Sequence, residues 1–278
     1  METTRVRPRG ISSITLALIP LAMAINIAVG QFATGTPIYL DSIGTVLVGA
    51  LLGPWAGLLT GVLSNVVWTV LFGSPYAIWF AYVAGAIGLI AGFAGRAGLF
   101  RRESPRWLSA FVGAAFMFAL TLFVLMFIGR TFDENSNAVF PTMGALFNEN
   151  IIIFVLALLA GGVAGYAVLR RAGYIGLIGL LTGVLAAVLS APMAAYQFGG
   201  VTGAGTDLLV AAFRASGASI VQSVFAQGVV SDPFDKLTSF MLVWLVIQSL
   251  PRRLLSRFPY GGANDSAEAA LGEPLSSR

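Results

Sequence analysis

Residues 38–68 of the 278-residue chain read IYLDSIGTVLVGALLGPWAGLLTGVLSNVVW. The apolar run over 40–52 predicts a helix with a rise of roughly 20 Å, which is shorter than the hydrocarbon layer of a bilayer at about 30 Å. The Gly-Pro-Trp turn that follows leads directly into a second apolar helix, predicted over 55–73. A short membrane helix interrupted by Gly and Pro points to a solute site. The alternative is a tilted or partly re-entrant hairpin with no role in solute binding.

The composition of the chain is that of an integral membrane protein. It is 57% hydrophobic and 10% charged, whereas a soluble domain carries about 25% charged residues, and its mean hydropathy is +0.87. With no cysteine and no histidine, the chain can form no disulfide and lacks the commonest metal ligand and general base. It also has no P-loop, no HExxH motif and no Ser-His-Asp set. We therefore expect no catalytic residue, no metal site and no cofactor.

Apolar runs bounded by charged residues or by Gly, Pro, Asn and Asp predict eight helical segments. They cover 11–30, 40–52, 55–73, 76–98, 107–129, 146–169, 173–195 and 233–250. With both termini in the cytoplasm, 13 of the 16 basic residues fall on the inside, as the positive-inside rule requires. The exceptions are Arg130, Arg214 and Lys236. The sequence thus predicts an all-α polytopic membrane bundle, N-in/C-in, and its basic pI needs no nucleic-acid partner.

The predicted transmembrane domain covers residues 11–250. Residues 1–10 are expected to be a cytoplasmic N-terminus, and residues 251–278 a cytoplasmic tail whose small and polar residues are typical of disorder. Within the domain, residues 197–232 are predicted to lie on the outer face as short helices hinged at Gly217, either a lid or a structural cap. The first segment resembles a cleavable signal peptide, but its apolar run continues without a polar break, so we expect an uncleaved helix.

Polar and aromatic residues gather at the outer ends of the predicted helices. Because polar groups are costly in lipid and usually face a bundle interior or a cavity, we predict a small-molecule pocket that opens outward. Its candidate substrate-binding residues are Asn26, Gln31, Tyr39, Asp41, Asn65, Trp68, Tyr76, Trp79, Asn148, Glu149, Tyr196, Asp235 and Lys236. Alternatives exist for several of them, since Trp and Tyr are common at membrane interfaces. Asn26 and Asn65 could instead form hydrogen bonds between helices.

The stretch SDPFDKLTSF (231–240) has two interpretations. Asp232 before Pro233 fits a helix N-cap followed by Pro at N1, with Asp235 at N3 near the positive end of the helix dipole. Alternatively, the two aspartates bind a solute. Lys236 needs a nearby carboxylate in either case, because its cation is unfavourable at a helix N-terminus.

Small residues recur at intervals of four along two predicted helices. Gly53, Gly57 and Gly61 do so around the start of the third segment, and Ala24 and Ala28 do so in the first. Such stripes allow helices to approach closely in lipid. They serve either internal packing or the docking of another membrane protein.

Three stretches resemble the substrate-binding S components of energy-coupling factor (ECF) vitamin transporters: 38–68, 190–207 (SAPMAAYQFGGVTGAGTD) and 231–240. The Ala24/Ala28 pair is similar to the small-residue motif with which those proteins dock their transmembrane T component. The resemblance implies a six-helix core with extra helices in the bacterial plasma membrane. It also implies capture of a vitamin or related micronutrient at the outer face, and delivery by ATP hydrolysis in two ATPase subunits that assemble with one T component.

Two other classes remain open from the residues alone. A membrane sensory module could use the same pocket to regulate a partner kinase. A membrane enzyme is disfavoured because the usual catalytic groups are missing from the sequence. Neighbouring genes for ATPase subunits and a T component would favour transport over sensing.

Overall fold

The computed structural model describes residues 13–33, 36, 38–132, 134 and 138–261. The predicted cytoplasmic N-terminus (1–10) and most of the predicted tail (251–278) lie outside these residues.

The described chain folds into helices joined by short connections. In order they are α1 (Ser13–Ala33), α2 (Ile43–Leu52), α3 (Pro54–Phe72), α4 (Ala81–Arg96), α5 (Arg106–Ile128), α6 (Met143–Ala167), α7 (Gly173–Pro192), α8 (Asp207–Ala215), α9 (Ile220–Ser249) and α10 (Arg252–Leu255). A 3₁₀ turn (Ala77–Phe80) leads into α4, and a π-helical turn (Met193–Gln197) follows α7. Between α5 and α6, two-residue strands β1 (Thr131–Phe132) and β2 (Ala138–Val139) pair antiparallel. The all-α class predicted from the sequence is confirmed.

Six helices in the described part of the chain are long and apolar enough to cross a membrane: α1, α3, α4, α5, α6 and α7. By contrast, α2 has ten residues and rises about 15 Å, so it cannot cross a bilayer alone. The longest helix, α9, has 30 residues and contains Asp232, Asp235 and Lys236 near its centre. The chain is therefore a multi-pass helical membrane protein.

The start of α9 differs from the predicted start of the last segment. The sequence predicts surface helices within 197–232 and a new helix at 233–250, whereas a single helix begins at Ile220 and continues to Ser249. A capping box begins this helix: Ser219 Oγ accepts from the Gln222 backbone N–H at 3.2 Å, and Gln222 Oε1 accepts from the Ser219 N–H at 2.9 Å. Because both first-turn donors are satisfied there, the helix starts thirteen residues earlier than predicted.

Burial explains why α9 continues through a sequence that looks like a helix start. Asp232 and Pro233 lie inside the helix and cap nothing. The helix packs against α7 so closely that a Cβ added to Gly183 would collide with Pro233. Only α8 remains as a separate surface helix, and Gly217, with φ of 92°, makes the turn from α8 to α9.

Glycines allow neighbouring helices to touch backbone to backbone. A Cβ on Gly57 of α3 would collide with the Gly88 carbonyl of α4, and a Cβ on Gly61 would collide with the Ala84 carbonyl. In the α5–α6 hairpin, Gly161 allows the same close approach. This packing is how helices associate in lipid, where burial of apolar surface gives no drive.

The two ends of the bundle differ in charge. At the arginine end, α4, α6 and α9 finish and α5 and α7 begin; its arginines are Arg96, Arg101, Arg102, Arg106, Arg170, Arg171, Arg252, Arg253 and Arg257. Arg171 pairs there with Glu103 at 2.7 Å, and Gln248 Nε2 donates to the Phe100 carbonyl at 2.9 Å. We name the opposite end the cavity end.

Candidate functional site

A cavity of about 210 Å³ lies at the cavity end of the bundle. Its lining comes from the ends of α1, α3 and α7, the segment between α1 and α2, the start of α4, the loop 200–205 and the middle of α9. Because α2 is short, the segment before it reaches the middle of α9 and forms the floor of the cavity. The short helix predicted from the opening stretch thus determines the depth of the cavity.

Aromatic rings form the wall of the cavity. Trp68 of α3 and Tyr76 and Phe80, which precede α4, line it. Tyr76 meets Phe198 edge to face, with 5.0 Å between the ring centroids. Trp68 lies against α1 at Gly30, where a Cβ would collide with the indole ring. These rings provide flat apolar surfaces on which another ring can stack.

A buried ion pair forms the floor. Lys236 Nζ lies 2.5 Å from Asp235 Oδ2 and 3.5 Å from Asp41 Oδ1, and it donates to Ser42 Oγ at 3.2 Å. The side chains of Lys236 and Asp235 are 5% and 0% exposed, and that of Asp41 is 32% exposed. Each N–H of the ammonium therefore has a protein acceptor, as a buried charge requires. The Lys236 cation also lies 5.9 Å from the centroid of the Tyr39 ring.

Polar residues continue along α9 above the ion pair. At every fourth position on one face, the helix places Ser223, Gln227, Ser231, Asp235 and Ser239, all buried. Gln227 Nε2 donates to Ser231 Oγ at 2.5 Å, and Ser231 Oγ donates to Asp232 Oδ1 at 3.1 Å. Gln227 and Asp232 also line the cavity, so α9 provides donors and acceptors along its depth.

Two loops meet at the mouth of the cavity. The hydroxyls of Tyr39 and Thr206 are hydrogen-bonded at 2.7 Å, which links the α1–α2 segment to the loop before α8. Asp207, the first residue of α8, accepts the backbone N–H groups of the loop residues Thr202 and Gly203 at 2.9 and 2.7 Å, and the Thr202 hydroxyl at 2.8 Å. Burial raises the pKa of the Tyr39 phenol well above its ordinary value, so Tyr39 is neutral at physiological pH.

The backbone beside Tyr39 is held in an uncommon conformation. Leu40 has φ of 48°, and no other non-glycine residue among those described has a positive φ. Its N–H donates to Asp235 Oδ1 at 2.8 Å. Such a conformation costs on the order of 1–3 kcal/mol and persists where surrounding contacts fix it. Asp235 thus positions both Lys236 and the segment that contains Tyr39 and Asp41.

A hydrogen-bond cluster centred on Asn26 lies below the cavity. Asn26 Nδ2 donates to Thr45 Oγ1 at 2.8 Å and to Ser64 Oγ at 2.9 Å, and its Oδ1 accepts the N–H groups of Gly44 and Thr45 at 2.7 and 3.3 Å. The first N–H groups of a helix have no partner within it, and the N-cap residue Ser42 makes no side-chain cap. Asn26 therefore caps α2 from α1.

A family model described as ECF-type riboflavin transporter, S component, matches residues 11–161, which is more than half of the chain. The chain belongs to this family. No curated protein and no solved structure gives a significant match to the chain. The family consists of transporter subunits that bind substrate, so the chain is the membrane substrate-capture subunit of an ECF transporter for a vitamin of the riboflavin type. Membership implies association with ECF T and ATPase modules.

The cavity of this S component brings together six of the candidate residues: Tyr39, Asp41, Asn65, Trp68, Tyr76 and Lys236. Asp235 lies directly behind Lys236, and Asn26 lies in the cluster beneath α2; both are buried. The remaining candidates do not line the cavity and are exposed: Gln31, Trp79, Asn148, Glu149 and Tyr196. Asn148 and Glu149 are on α6, which packs against α5 at the edge of the bundle.

Further polar and aromatic residues line the cavity but were not among the candidates: Ser42, Phe80, Thr202, Asp207, Gln227 and Asp232. Asp207 comes shortly after the glycine-rich run 199–205. That run was the feature of the sequence from which a loop at the mouth could have been predicted. The four-residue spacing of Gln227, Ser231 and Asp235 was the signal for one continuous helix face.

The predicted docking residues of this S component fall into two groups. Ala24 and Ala28 lie on an exposed face of α1. Gly53 is covered by the Tyr260 ring, and Gly57 and Gly61 are covered by α4. The three glycines therefore serve internal packing in this structure, because a partner could reach them only if Tyr260 and α4 moved away.

Proposed function

We propose that this S component captures riboflavin from outside a bacterial cell in the described cavity. Partner subunits then hydrolyse ATP to drive its delivery to the cytoplasm. The observation that supports this most strongly is a cavity with a ring-lined wall and a polar floor, in a chain of the riboflavin-type family. Riboflavin combines a flat three-ring system with a chain of hydroxyl groups. The rings suit Trp68 and Tyr76, and the hydroxyl groups suit Ser42, Gln227 and Asp232.

The charge distribution supports an outward-facing cavity. The nine arginines at the arginine end are on the side that the positive-inside rule assigns to the cytoplasm. The cavity lies at the other end, so this orientation opens it to the outside of the plasma membrane. The substrate would enter past the loops that contain Tyr39 and Thr206.

Docking of the T component is assigned to the exposed face of α1 at Ala24 and Ala28. Small side chains there allow another helix to approach closely. Hydrolysis of ATP is assigned to two separate ATPase subunits beside one T component, as family membership suggests, and the chain itself has no P-loop. Replacement of both alanines with leucine should abolish co-purification of the T component and ATPase subunits, whereas riboflavin binding should remain. Loss of binding together with docking would contradict this assignment.

Binding is tested on the purified full-length chain. Mass spectrometry of the ligand that it retains should recover riboflavin, and added riboflavin should lose fluorescence on binding because its ring stacks on Trp68 or Tyr76. Recovery of a different vitamin would reject riboflavin but keep vitamin capture. Recovery of no ligand, together with no co-purifying ATPase subunits, would contradict uptake as the function.

A variant of Asn65 and a control variant of Glu103 test whether Asn65 belongs to the binding site. Its side chain lines the cavity, so Asn65→Ala should weaken riboflavin binding roughly 3- to 10-fold, the effect of one lost hydrogen bond. Glu103→Gln, at the arginine end, is the control and should bind like the wild type. Unchanged affinity in Asn65→Ala would remove this residue from the binding site.

A further inference from the structure

The arginine end carries positive charge beside the α5–α6 hairpin that nearby carboxylates do not neutralise. Glu103 pairs with Arg171 through two hydrogen bonds, at 3.2 and 2.7 Å. Arg102, Arg106 and Arg170 are exposed, and no carboxylate of the described residues lies within ion-pair distance of them. The described part of this edge therefore presents three cations that are available to an external anion.

Two of these cations lie beside one exposed tyrosine of α6. Arg106 Nη1 donates to the Tyr166 hydroxyl at 3.3 Å, and its guanidinium carbon lies 5.4 Å from the centroid of the Tyr166 ring. Arg170, four residues further along the chain, is close enough for its charge to act on the same hydroxyl. The contact with the ring orients the Arg106 guanidinium and leaves it exposed.

Ser104 fixes the backbone from which the two arginines extend. Its hydroxyl donates to the Arg170 carbonyl at 3.0 Å and accepts the Gly173 N–H at 3.0 Å. The same hydroxyl is hydrogen-bonded to that of Ser109, in α5, at 2.9 Å. The turn between α6 and α7 is thus tied to the start of α5. A site held in this way loses little conformational freedom when a ligand binds.

Open space continues from the arginines toward the membrane centre along the seam between α5 and α6. Ala110 lies one helical turn beyond Arg106, and Gly162 lies one turn before Tyr166. A Cβ added to Gly162 would meet only the Ala110 carbonyl, at 3.9 Å. The neighbouring Trp107 and Val163 are 69% and 68% exposed. An acyl chain can lie along Ala110 and Gly162 against these apolar side chains.

We infer that the arginine end of the α5–α6 hairpin binds an anionic phospholipid. Its phosphate lies between Arg106 and Arg170, and one acyl chain follows the seam past Gly162. Guanidinium groups bind phosphate oxygens in a fork, and arginine clusters at the ends of membrane helices attract anionic lipids. Exposed Trp107 and Tyr166 are typical of the level of the headgroups. This surface is remote from the cavity, so the inference does not depend on which vitamin is captured.

The lipid has a structural consequence for the hairpin. Helix α6 packs against α5 at the edge of the bundle. A phosphate bound to Arg106, the first residue of α5, and to Arg170, just after α6, joins the two helices at their open end. Phosphatidylglycerol should therefore raise the melting temperature of the protein in detergent more than phosphatidylcholine with the same acyl chains.

The first test measures lipid binding to the purified full-length chain by titration in native mass spectrometry. Phosphatidylglycerol should bind about 25-fold more tightly than phosphatidylcholine with the same acyl chains, because each arginine near the headgroup contributes roughly 5-fold. Arg106→Gln and Arg170→Gln should each remove about 5-fold of this preference. Arg106→Lys, which keeps the charge but loses the fork, should remove less. Arg253→Gln, the control at the same end with the same change in charge, should keep the wild-type preference.

Three results would overturn the inference. An equal loss in Arg253→Gln would show diffuse attraction without a site. A wild-type preference in both Arg106→Gln and Arg170→Gln would exclude these arginines. Loss of co-purifying ATPase subunits in Arg106→Gln, with phosphatidylglycerol binding unchanged, would assign the arginine to a partner protein. Wild-type melting of each variant in lipid-free detergent checks that it is folded.

The second test separates a lipid from a soluble phosphate. Gly162→Leu fills the space along the seam and should weaken phosphatidylglycerol binding although both arginines remain. The control Gly144→Leu, at the other end of α6, where an added Cβ meets no atom within 4 Å, should bind like the wild type. Soluble glycerol 3-phosphate should not displace the lipid. Displacement by glycerol 3-phosphate, or wild-type binding in Gly162→Leu, would overturn the assignment to a lipid.

Discussion

Replacement of Asn26 with leucine should destabilise the protein through the start of α2. Leucine has the same number of side-chain heavy atoms and a similar branched shape, but it can neither donate to Thr45 and Ser64 nor accept from the first turn of α2. Ser64 keeps its own hydrogen bond to the Thr60 carbonyl at 2.7 Å. The main loss is therefore the acceptor for two backbone N–H groups, those of Gly44 and Thr45.

The size of the effect follows from these contacts. A buried donor left without a partner costs about 1–3 kcal/mol. The Gly44 bond is short, at 2.7 Å, and the Thr45 bond is long, at 3.3 Å, so the expected loss is about 2–4 kcal/mol in the free energy of unfolding. For a chain of this size, that corresponds to a melting temperature lower by roughly 5–15 °C.

The assay is thermal unfolding of the purified protein in detergent, with Asn65→Leu as the matched control. Asn65 faces the cavity, so the control should melt close to the wild type and lose riboflavin affinity instead. The two asparagines thus separate a structural role from a binding role. A wild-type melting temperature for Asn26→Leu would refute the role of Asn26 as a cap for α2.

Three further perturbations test the floor, the packing and the mouth. Asp235→Ala leaves Lys236 and the Leu40 backbone N–H without their shared acceptor, and it should lower the free energy of unfolding by about 3–5 kcal/mol in thermal unfolding. Asp235→Asn should cost less. Equal losses in the two variants would argue against Asp235 as the shared acceptor. Gly57→Ala should lower the melting temperature because its methyl group would collide with α4. The control Gly144→Ala, whose methyl group meets no atom within 4 Å, should leave the melting temperature unchanged. Similar melting temperatures for both variants would argue against close α3–α4 packing. Tyr39→Phe and Thr206→Val should each speed riboflavin release roughly 3- to 10-fold, because each removes the same hydrogen bond. The double variant should therefore release riboflavin little faster than either single variant. Additive effects would show that the two residues act independently and would contradict this link at the mouth.

Features that depend on local patterns were predictable from the sequence. The opening stretch predicted a short helix, a tight turn and a long helix, and α2 and α3 match within three residues at each boundary. The requirement of Lys236 for a carboxylate partner also followed from elementary electrostatics, and Asp235 and Asp41 provide it.

Features that depend on tertiary contacts were not predictable. The start of the last predicted helix was placed at Pro233, with Asp232 as its N-cap, because Asp followed by Pro has the same local pattern at a helix start and inside a buried helix. Burial against α7 decides between the two. The role of Asn26 as a cap for another helix depends on how α1 and α2 pack, and no spacing along the chain shows this. The Ser219–Gln222 capping box was readable, and it would have placed the start of α9 correctly.

The most direct test of outward capture uses the absence of cysteine from the natural chain. A single cysteine at Asn65 should react in intact cells with a membrane-impermeant maleimide, and riboflavin should protect it. A cysteine at Glu103, at the arginine end, should react only after the cells are permeabilised. The opposite pattern, or labelling at Asn65 that riboflavin does not slow, would contradict an outward-opening riboflavin cavity.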